Sequence, residues 1–313
     1  MLYYVVRRIL VLPPVMLTVA LVVFCLLYVT PGDPAALIAG DQATPEEIER
    51  IRIAMGLDKP IFLRFTTWAW QLLNGDLGTS IFANQPVTQM IGQRVGPTFS
   101  LLTLALVISV TLAVPLGVMA AWNRGKIADR VFTLVTVLSF SFPVFVVGYA
   151  FAFSFSTNLK WLPVQGYTPL SDGFAPFLNH LILPAMTLGV SYAAILARTT
   201  RSSMLDVLSQ DYVRTAVAKG AGTRVILFRH ALKNAAIPII TVIGLGLATL
   251  IGGSVITESV FAIPGIGRLT LDAILHRDYP VIQGVVLLFS ASYVAVNLLI
   301  DIIYTLVDPR IRY

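Results

Sequence analysis

Long apolar runs separated by shorter polar segments dominate the hydropathy pattern of the chain. The first run covers residues 9–29, and at 1.5 Å per residue a helix of that length is about 30 Å long, which matches the hydrocarbon core of a bilayer. Further runs of similar length follow at 97–121, 131–157, 177–197, 235–257 and 281–307. The pattern therefore predicts an all-α integral membrane protein with about six transmembrane helices.

The residues around the first run indicate a retained membrane helix. Arg7 and Arg8 precede it, which is typical of the cytoplasmic end of a span. A cleavable signal peptide has a shorter apolar core and ends in small residues, whereas residues 30–34 read Thr-Pro-Gly-Asp-Pro. We therefore expect residues 1–30 to form the amino terminus and the first transmembrane helix, with the amino end inside.

The longest polar segment, residues 31–96, carries helix signals and is expected to be ordered. Thr44 and Glu47 have the spacing of a capping box, and Gly56 ends the helix that this box predicts. A second helix is expected over residues 60–74, with a buried face made by Phe62, Phe65, Trp68 and Leu72. The two helices predict an extracytoplasmic helical cap, which either covers the mouth of the bundle or docks a substrate-delivery protein.

Basic residues concentrate in the segment 198–233, between the fourth and fifth apolar runs. Its ionisable groups are mostly cations, namely Arg198, Arg201, Arg214, Lys219, Arg224, Arg229 and Lys233, against Asp206 and Asp211. Because Lys and Arg are enriched in cytoplasmic loops, this segment is expected on the cytoplasmic side, together with both termini. Most of the 16 acidic residues then fall on the outside.

Within this basic segment the pattern predicts two short helical pieces broken by Gly220 and Gly222. Apolar side chains fall on one face of each piece: Val213, Ala216 and Val217 before the glycines, and Val225, Phe228 and Leu232 after them. Such a bent pair offers an apolar ridge to a partner outside the chain. A basic helix lying on anionic lipid is the alternative that periodicity leaves open.

Composition and charge narrow the function classes. Hydrophobic residues make up 57% of the chain and charged residues 12%, and the net charge of +6 lies at the ends of apolar runs, which indicates contact with lipid and proteins rather than nucleic acid.

Ionisable residues are scarce in the spans, where His180, Glu258 and Asp301 lie near span ends. No ion-coupling relay is predicted. Asp301 either pairs with Arg310 or a neighbouring helix, or serves as a lone relay group.

Several kinds of chemistry have no motif in the sequence. Its one cysteine, Cys25, excludes an intrachain disulfide and a cysteine-based metal cage. The nucleotide-binding pattern G-x-x-x-x-G-K-[ST], the metalloprotease pattern H-E-x-x-H and the hydrolase pattern G-x-S-x-G do not occur. No catalytic, cofactor or metal site is therefore expected in this chain. Any energy that the protein uses must therefore come from another chain.

The basic segment also carries a family resemblance. Residues 214–220 read RTAVAKG and residues 229–235 read RHALKNA, with Pro238 after them. This resembles the cytoplasmic coupling motif of importer-type ABC permeases, with Gly220 as the motif glycine and Ala216 as its second alanine. It departs from the family pattern at Arg214, where Glu is usual. His230, Leu232 and Lys233 stand where Ile, Leu and Pro are usual, so the segment also departs at His230 and Lys233.

Four further stretches are similar to the dipeptide/oligopeptide, or DppB/OppB-like, branch of these permeases. They are residues 31–34 (PGDP), 161–167 (WLPVQGY), 261–267 (FAIPGIG) and 308–313 (DPRIRY). The resemblance implies a type I ABC importer permease-like fold, with residues 97–313 as the core permease domain and 198–233 as its cytoplasmic coupling loop. It places the chain in a bacterial or archaeal cytoplasmic (inner) membrane as a multi-pass protein.

The resemblance also implies roles and partners. The ATPase-coupling residues are expected to be Arg214, Thr215, Ala216, Lys219, Gly220, Ala221 and Gly222. Residues of the outer mouth or gate are expected to be Trp161, Tyr167, Glu258, Phe261, Pro264 and Gly265, and those of the pathway Ser141 and Asn297. The implied partners are a second homologous permease forming a heterodimer, two cytoplasmic ATPase subunits, an extracytoplasmic solute-binding protein, peptide substrate and membrane lipid.

Two alternatives stay open. Relatives of this type carry dipeptides, longer peptides, glutathione, nickel chelates or sugars, so the sequence leaves the cargo open. An autonomous channel or carrier is the hypothesis from another class, and it predicts transport by this chain alone.

Overall fold

The computed structural model describes residues 2–29, 34–39, 43–54 and 56–307, so residues 31–33 and 308–313 of the resemblance stretches lie outside the described residues. Regular structure in the described ranges is helical, without a strand. The α-helices are α1 (Leu2–Val29), α2 (Pro34–Ala39), α3 (Pro45–Ala54), α4 (Ile61–Leu73), α5 (Val87–Trp122), α6 (Ile127–Ser141), α7 (Val144–Phe151), α8 (Phe174–Leu208), α9 (Asp211–Ala218), α10 (Lys233–Val260), α11 (Ile266–Leu275) and α12 (Tyr279–Val307). Two π-helices, Ala152–Asn158 and Val225–Leu232, and one 3₁₀ turn, Leu170–Asp172, join them.

The long apolar helices confirm the predicted all-α membrane class. Four helices of the described chain are long and apolar enough to cross a bilayer: Val87–Trp122, Phe174–Leu208, Val225–Val260 and Tyr279–Tyr304. A fifth span results if the bent pair Ile127–Ser139 and Val144–Asn158 is counted as one. The first predicted span falls in α1, where the apolar stretch Leu10–Cys25 is shorter than these. The structure thus matches four or five of the six predicted spans.

Pro143 explains why the predicted span 131–157 is bent. The two halves meet at 102°. Proline has no N–H to donate and disfavours helical backbone in the residue before it, and Phe142 is extended with φ −101° and ψ 123°. The helix therefore ends at Ser141 and begins again at Val144.

Among the described residues, the first compact unit comprises 2–5, 94–268 and 295–307, and α8 lies at its centre. The backbones of α5 and α8 approach closely at two levels. A Cβ on Gly117 would lie 2.7 Å from the Ala197 carbonyl oxygen, and one on Gly189 would lie 2.9 Å from that of Ala105. Ser109 Oγ donates to the Gly189 carbonyl at 2.9 Å across this contact. Small residues therefore hold these two spans together, as is usual in membrane bundles.

The second compact unit comprises the described residues within 6–93 together with residues 269–294. Phe24 of α1 lies at its centre, with ring centroids 5.3 Å from Phe65 and 5.5 Å from Trp68 of α4. The carboxylate of Asp278 is buried, and it accepts hydrogen bonds from Ser80 Oγ at 2.5 Å and from the Ile81 N–H at 3.2 Å. Aromatic packing and one buried carboxylate thus join segments that are distant in sequence.

The predicted capping box begins α3 and is confirmed. The Thr44 N–H donates to Glu47 Oε2 at 2.8 Å, and the Glu47 N–H donates to Thr44 Oγ1 at 3.3 Å. The backbone hydrogen bond from Thr44, followed by that with its hydroxyl, holds the pKa of the exposed Glu47 below its ordinary value. The second predicted helix is α4, but one residue of its predicted buried face was assigned wrongly. Phe62 is 76% exposed, whereas Phe65, Trp68 and Leu72 are half-buried.

Candidate functional site

The coupling loop, residues 198–233, folds as the end of α8, then α9, a glycine turn and the second π-helix. Gln210 is extended with φ −73° and ψ 148°, and it directs the chain from α8 into α9. Val213 is buried, and α9 contacts both α8 and the second π-helix. The loop is therefore a folded unit attached to the bundle.

Gly220 ends α9 with a Schellman motif. Its φ is +79°, its N–H donates to the Val217 carbonyl at 2.9 Å, and the next N–H, of Ala221, donates to the Ala216 carbonyl at 3.1 Å. This left-handed conformation favours glycine, because a side chain there crowds the backbone. The motif glycine expected from the resemblance is thus the residue at which the chain turns.

After the turn, the Gly222 carbonyl accepts from the Ile226 N–H at 3.1 Å and the second π-helix follows. Ile226 and Ala231 are buried against the bundle. The residue that leads into α10, Leu232, is helical with φ −62° and ψ −38°. The second predicted helical piece is therefore a π-helix rather than an α-helix, and it continues directly into the span.

The exposed apolar residues of the coupling loop differ in part from the predicted ridge. Val217, Val225 and Phe228 are exposed as expected, and Tyr212 joins them. Val213 is buried, Ala216 is half-buried and Leu232 packs against the core, so these three do not contribute an exposed ridge. We call Tyr212, Val217, Val225 and Phe228 the exposed apolar set.

The charged residues of the loop surround this set. Arg214 and Lys219 are exposed, and the only ion pair of Arg214 in the described chain is a 3.4 Å contact with the exposed Asp211, which contributes little in water. Thr215 is exposed and donates to the Asp211 carbonyl at 3.0 Å. Ala221 is half-buried and Gly222 exposed. The seven predicted coupling residues thus lie on the helix end and turn beside an exposed basic surface.

Arg201 of the basic segment has a packing role that the sequence did not indicate. Its Nε and Nη2 donate to the two carboxylate oxygens of the buried Asp129 at 2.6 and 2.9 Å. The bidentate pair joins α8 to the first turn of α6, so Arg201 serves packing rather than a partner-facing surface. The sequence signal for this ion pair was Asp129, an acidic residue among the cations of the connection 122–130.

Two segments predicted near the outer mouth meet in the structure. The Gly166 N–H donates to the Phe261 carbonyl at 3.0 Å. Tyr167 is half-buried and contacts Phe177, whereas Trp161 is 69% exposed. The hydrogen bond links the connection after the bent pair to the connection after α10. This hydrogen bond does not show where the two connections lie across the membrane. Their position at the outer mouth therefore stays a prediction.

Glu258 and its surroundings form a buried anchor. The carboxylate accepts from Thr98 Oγ1 at 2.7 Å and from the Arg268 N–H at 2.9 Å, while Thr98 Oγ1 accepts from the Ile266 N–H at 2.7 Å. These acceptors satisfy N–H groups in the first turn of α11. A Cβ on Gly265 would overlap the Glu258 carboxylate.

The remaining predicted site residues differ in their exposure. Phe261 is buried and Pro264 is exposed. Ser141 is exposed at the bend before Pro143, and its hydroxyl donates to the Val137 carbonyl at 3.4 Å. Asn297 is half-buried on α12. The described residues contain no group of three His, Cys, Asp or Glu side chains that could hold a metal ion.

Comparison with known proteins covers the whole chain. Residues 113–313 match the family described as binding-protein-dependent transport system inner membrane component, and residues 1–102 match its amino-terminal family. A protein of Sinorhizobium fredii named as a probable peptide ABC transporter permease is 51% identical over 310 residues, covering 99% of each chain. A glutathione transport system permease protein of Salmonella typhi is 42% identical over 313 residues, covering 100% of each.

A solved structure shares the fold. It is an inward-facing form of the MetNI methionine ABC transporter, which aligns with a TM-score of 0.59 at 18% identity. The alignment covers 70% of this chain and 97% of that one.

Proposed function

The chain belongs to the family of binding-protein-dependent transport system inner membrane components, and from this premise we propose that it is the permease subunit of an ATP-driven peptide importer. It forms half of the translocation pathway for dipeptides or oligopeptides, and a second, homologous permease forms the other half. An extracytoplasmic solute-binding protein delivers the peptide. Both termini of the chain lie in the cytoplasm of a bacterial or archaeal cell, and the spans cross its inner membrane.

The observation that carries this proposal is the exposed apolar set beside the Gly220 turn. Large apolar side chains surrounded by cations on a folded loop are suited to burial in a partner protein. Two cytoplasmic ATPase subunits are the proposed partners, because the sequence contains no nucleotide-binding loop of its own. ATP and magnesium then bind to those subunits, and this chain is not an enzyme.

The helix geometry supports a mechanism for coupling. The second π-helix and α10 form one continuous helix from Val225 to Val260, 36 residues long, which begins at the exposed apolar set and ends at the Glu258 anchor. A displacement of the loop by the ATPase subunits therefore moves the span directly. We expect the nucleotide-bound state to favour an outward-open pathway and hydrolysis to return it inward, as a two-state equilibrium biased by the partner.

Co-purification tests the proposal. The chain is extracted from native membranes in detergent, and the proteins that accompany it are identified by mass spectrometry. We expect a second permease and P-loop ATPases, with the ATPases lost when Gly220 is replaced by Glu and the permease pair retained. Recovery of the chain alone, or of a homo-oligomer only, would contradict the proposal and favour an autonomous channel or carrier. Solute uptake by vesicles containing this chain alone would support that alternative directly.

A second cargo has a specific observation in its favour. The relative that aligns over 100% of both chains is named for glutathione transport, and glutathione is itself a peptide derivative. Competition for uptake between a dipeptide and glutathione in the reconstituted importer distinguishes the two cargoes. Nickel chelates and sugars are the remaining alternatives, and the same competition assay tests them.

A further inference from the structure

Helix α4 exposes a second apolar face, which lies on a different side from the face that packs on α1. With 3.6 residues per turn, Phe62, Leu63, Thr66, Trp70 and Leu73 fall within an arc of about 100° around the helix axis. All five residues are exposed, with exposed fractions of 76% at Phe62, 68% at Trp70 and 80% at Leu73. Four large apolar side chains of one helix therefore form a continuous exposed surface.

The polar groups of α4 do not require water at this face. The only hydroxyl on the face, that of Thr66, donates to the Leu63 carbonyl within the helix at 3.0 Å. The other polar side chains, Arg64, Thr67 and Gln71, fall on another side of the helix, and α4 contains no further charged residue. The exposed apolar face is thus suited to surroundings without water.

The contact with α1 shows the depth at which α4 lies. Phe24 of α1, whose ring centroid is 5.3 Å from that of Phe65 and 5.5 Å from that of Trp68, falls within the apolar stretch Leu10–Cys25. Helix α1 continues to Val29, which lies about 7.5 Å beyond Phe24 at 1.5 Å per residue. The side of α4 that packs on α1 is therefore level with apolar residues of the predicted span rather than beyond its end.

The start of α12 supports the same depth. The Gln283 side-chain amide donates to the Val23 carbonyl of α1 at 3.4 Å, and Gln283 lies near the start of the span Tyr279–Tyr304. Leu21 and Val22 of α1 are 48% and 57% exposed, as lipid-facing side chains of a span are. The neighbours of α4 at this level are thus membrane spans, so lipid is the medium that its exposed face meets.

We propose that α4 is an interfacial helix, and that its exposed apolar face inserts among the acyl chains of the extracytoplasmic leaflet. The polar side of the helix then lies toward the headgroups and water. Interfacial helices bury their apolar face about 5–10 Å into the boundary between headgroups and acyl chains, which agrees with the depth of Phe24. Tryptophan is enriched at the same boundary, where Trp70 would lie. The apolar members of this face, which we call the α4 lipid face, are Phe62, Leu63, Trp70 and Leu73.

This inference goes beyond the proposed function, because lipid contact requires neither peptide nor ATPase. The sequence left two interpretations of the segment 31–96, a cover over the mouth of the bundle or a docking surface for the solute-binding protein. Contact with acyl chains assigns the α4 lipid face to neither. A solute-binding protein approaches from the water, so it reaches this face only if the face lies above the membrane. The two occupants therefore predict opposite accessibility to water.

Site-directed spin labelling measures which solvent surrounds the face. Cys25, the one cysteine of the sequence, is replaced by Ala, and single cysteines are introduced as Phe62→Cys, Leu73→Cys and Gln71→Cys. The full chain is labelled with a nitroxide and reconstituted into nanodiscs of dioleoyl phosphatidylcholine. Collisions of the label with oxygen, which partitions into lipid, are compared with collisions with chromium oxalate, which stays in water.

We expect oxygen to be the more effective relaxant at positions 62 and 73, and chromium oxalate at position 71. Gln71 is the matched control, because it is exposed on the same helix but lies about 160° from Leu73 around the axis. Greater accessibility to chromium oxalate at either 62 or 73 would overturn the inference. So would shielding of these positions from both relaxants that arises only when the solute-binding protein is added to the assembled importer.

A second measurement uses a native side chain and does not depend on the labelled variants. Trp70 is one of four tryptophans, and acyl chains that carry bromine quench the fluorescence of an indole in contact with them. We expect brominated phosphatidylcholine to quench a larger share of the emission in the wild-type chain than in Trp70→Phe, which keeps an aromatic ring at this position. An equal quenched share in the two proteins would overturn the inference.

These outcomes are distinguishable from a failure of the proposed function. If the complex imports dipeptides with ATP but the label at position 73 is in water, the interfacial helix fails and the importer stands. If no ATPase accompanies the chain but both measurements find acyl chains at the α4 lipid face, the importer fails and the interfacial helix stands.

Discussion

At residue 220 the backbone, rather than a side chain, determines the shape of the coupling loop. Gly220 and Gly222 both have open space where a Cβ would lie, with nothing within 4 Å, but only Gly220 has a left-handed φ. An added Cβ would therefore meet no neighbouring atom at either glycine, and it would strain the backbone only at Gly220. The conformational requirement at Gly220 follows from the Schellman hydrogen bonds described above.

We predict that Gly220→Ala strains the turn by roughly 1 kcal/mol, enough to change the balance between loop conformations about fivefold. Peptide uptake per ATP hydrolysed should fall severalfold in proteoliposomes that contain the whole importer. Gly222→Ala is the control and should keep the wild-type ratio. Equal ratios in the two variants would contradict a role for the left-handed turn.

Thr98 links two groups that the sequence does not connect. Its hydroxyl donates to Glu258 and accepts from the N–H of Ile266, and all three positions are buried. We predict that Thr98→Val destabilises the protein by about 2 kcal/mol, because it removes two buried hydrogen bonds, one to the Glu258 carboxylate and one from the Ile266 N–H. Thr98→Ser keeps the hydroxyl and should retain most of the stability. Unfolding in detergent micelles measures both variants, and equal losses would point to packing instead.

At the scale of elements, the second π-helix carries a phenylalanine whose side chain is mostly exposed and is not buried in the core. Phe228 is 61% exposed on this helix, and Phe153 is 60% exposed on the first π-helix. The two residues match in type, exposure and helix class, but only Phe228 belongs to the coupling loop. Phe153→Ser is therefore a matched control for Phe228→Ser.

We predict that Phe228→Ser weakens binding of the ATPase subunits by at least about tenfold, as expected for an aromatic residue at the centre of an interface. Phe153→Ser should leave that affinity unchanged, and neither variant should lower the melting temperature of the isolated chain. Titration of the ATPase onto the permease in nanodiscs measures the affinity. Wild-type binding by Phe228→Ser would place the interface elsewhere on the loop.

Elements with local signals were predictable from the sequence, and those that depend on distant contacts were not. The capping box at Thr44 and the break at Gly220 each involve residues a few positions apart. The burial of Glu258 depends on Thr98, which lies 160 positions away. Phe62 shows a further limit, since α4 carries apolar residues on more than one side and the pattern does not reveal which side packs. Pro143 is evident in the sequence, but the 102° angle of the bend at this residue could not be predicted from it.

At the scale of the molecule, the helix Val225–Val260 connects the proposed interface with the ATPases to the Glu258 anchor. Its α-helical part, Lys233–Val260, has 28 residues and at 1.5 Å per residue extends about 42 Å, longer than the hydrocarbon core of a membrane. Family membership and the all-α class could be predicted from the sequence. The continuity of the helix Val225–Val260 could not, because the predicted span began only at residue 235.

The continuity of that helix restricts how the chain can change in length. Each residue added between Lys233 and Glu258 would rotate everything beyond it by about 100°, since an α-helix has 3.6 residues per turn. The interface and the anchor would then face in the wrong directions relative to each other. Insertions and deletions among relatives should therefore be absent from the helix Val225–Val260.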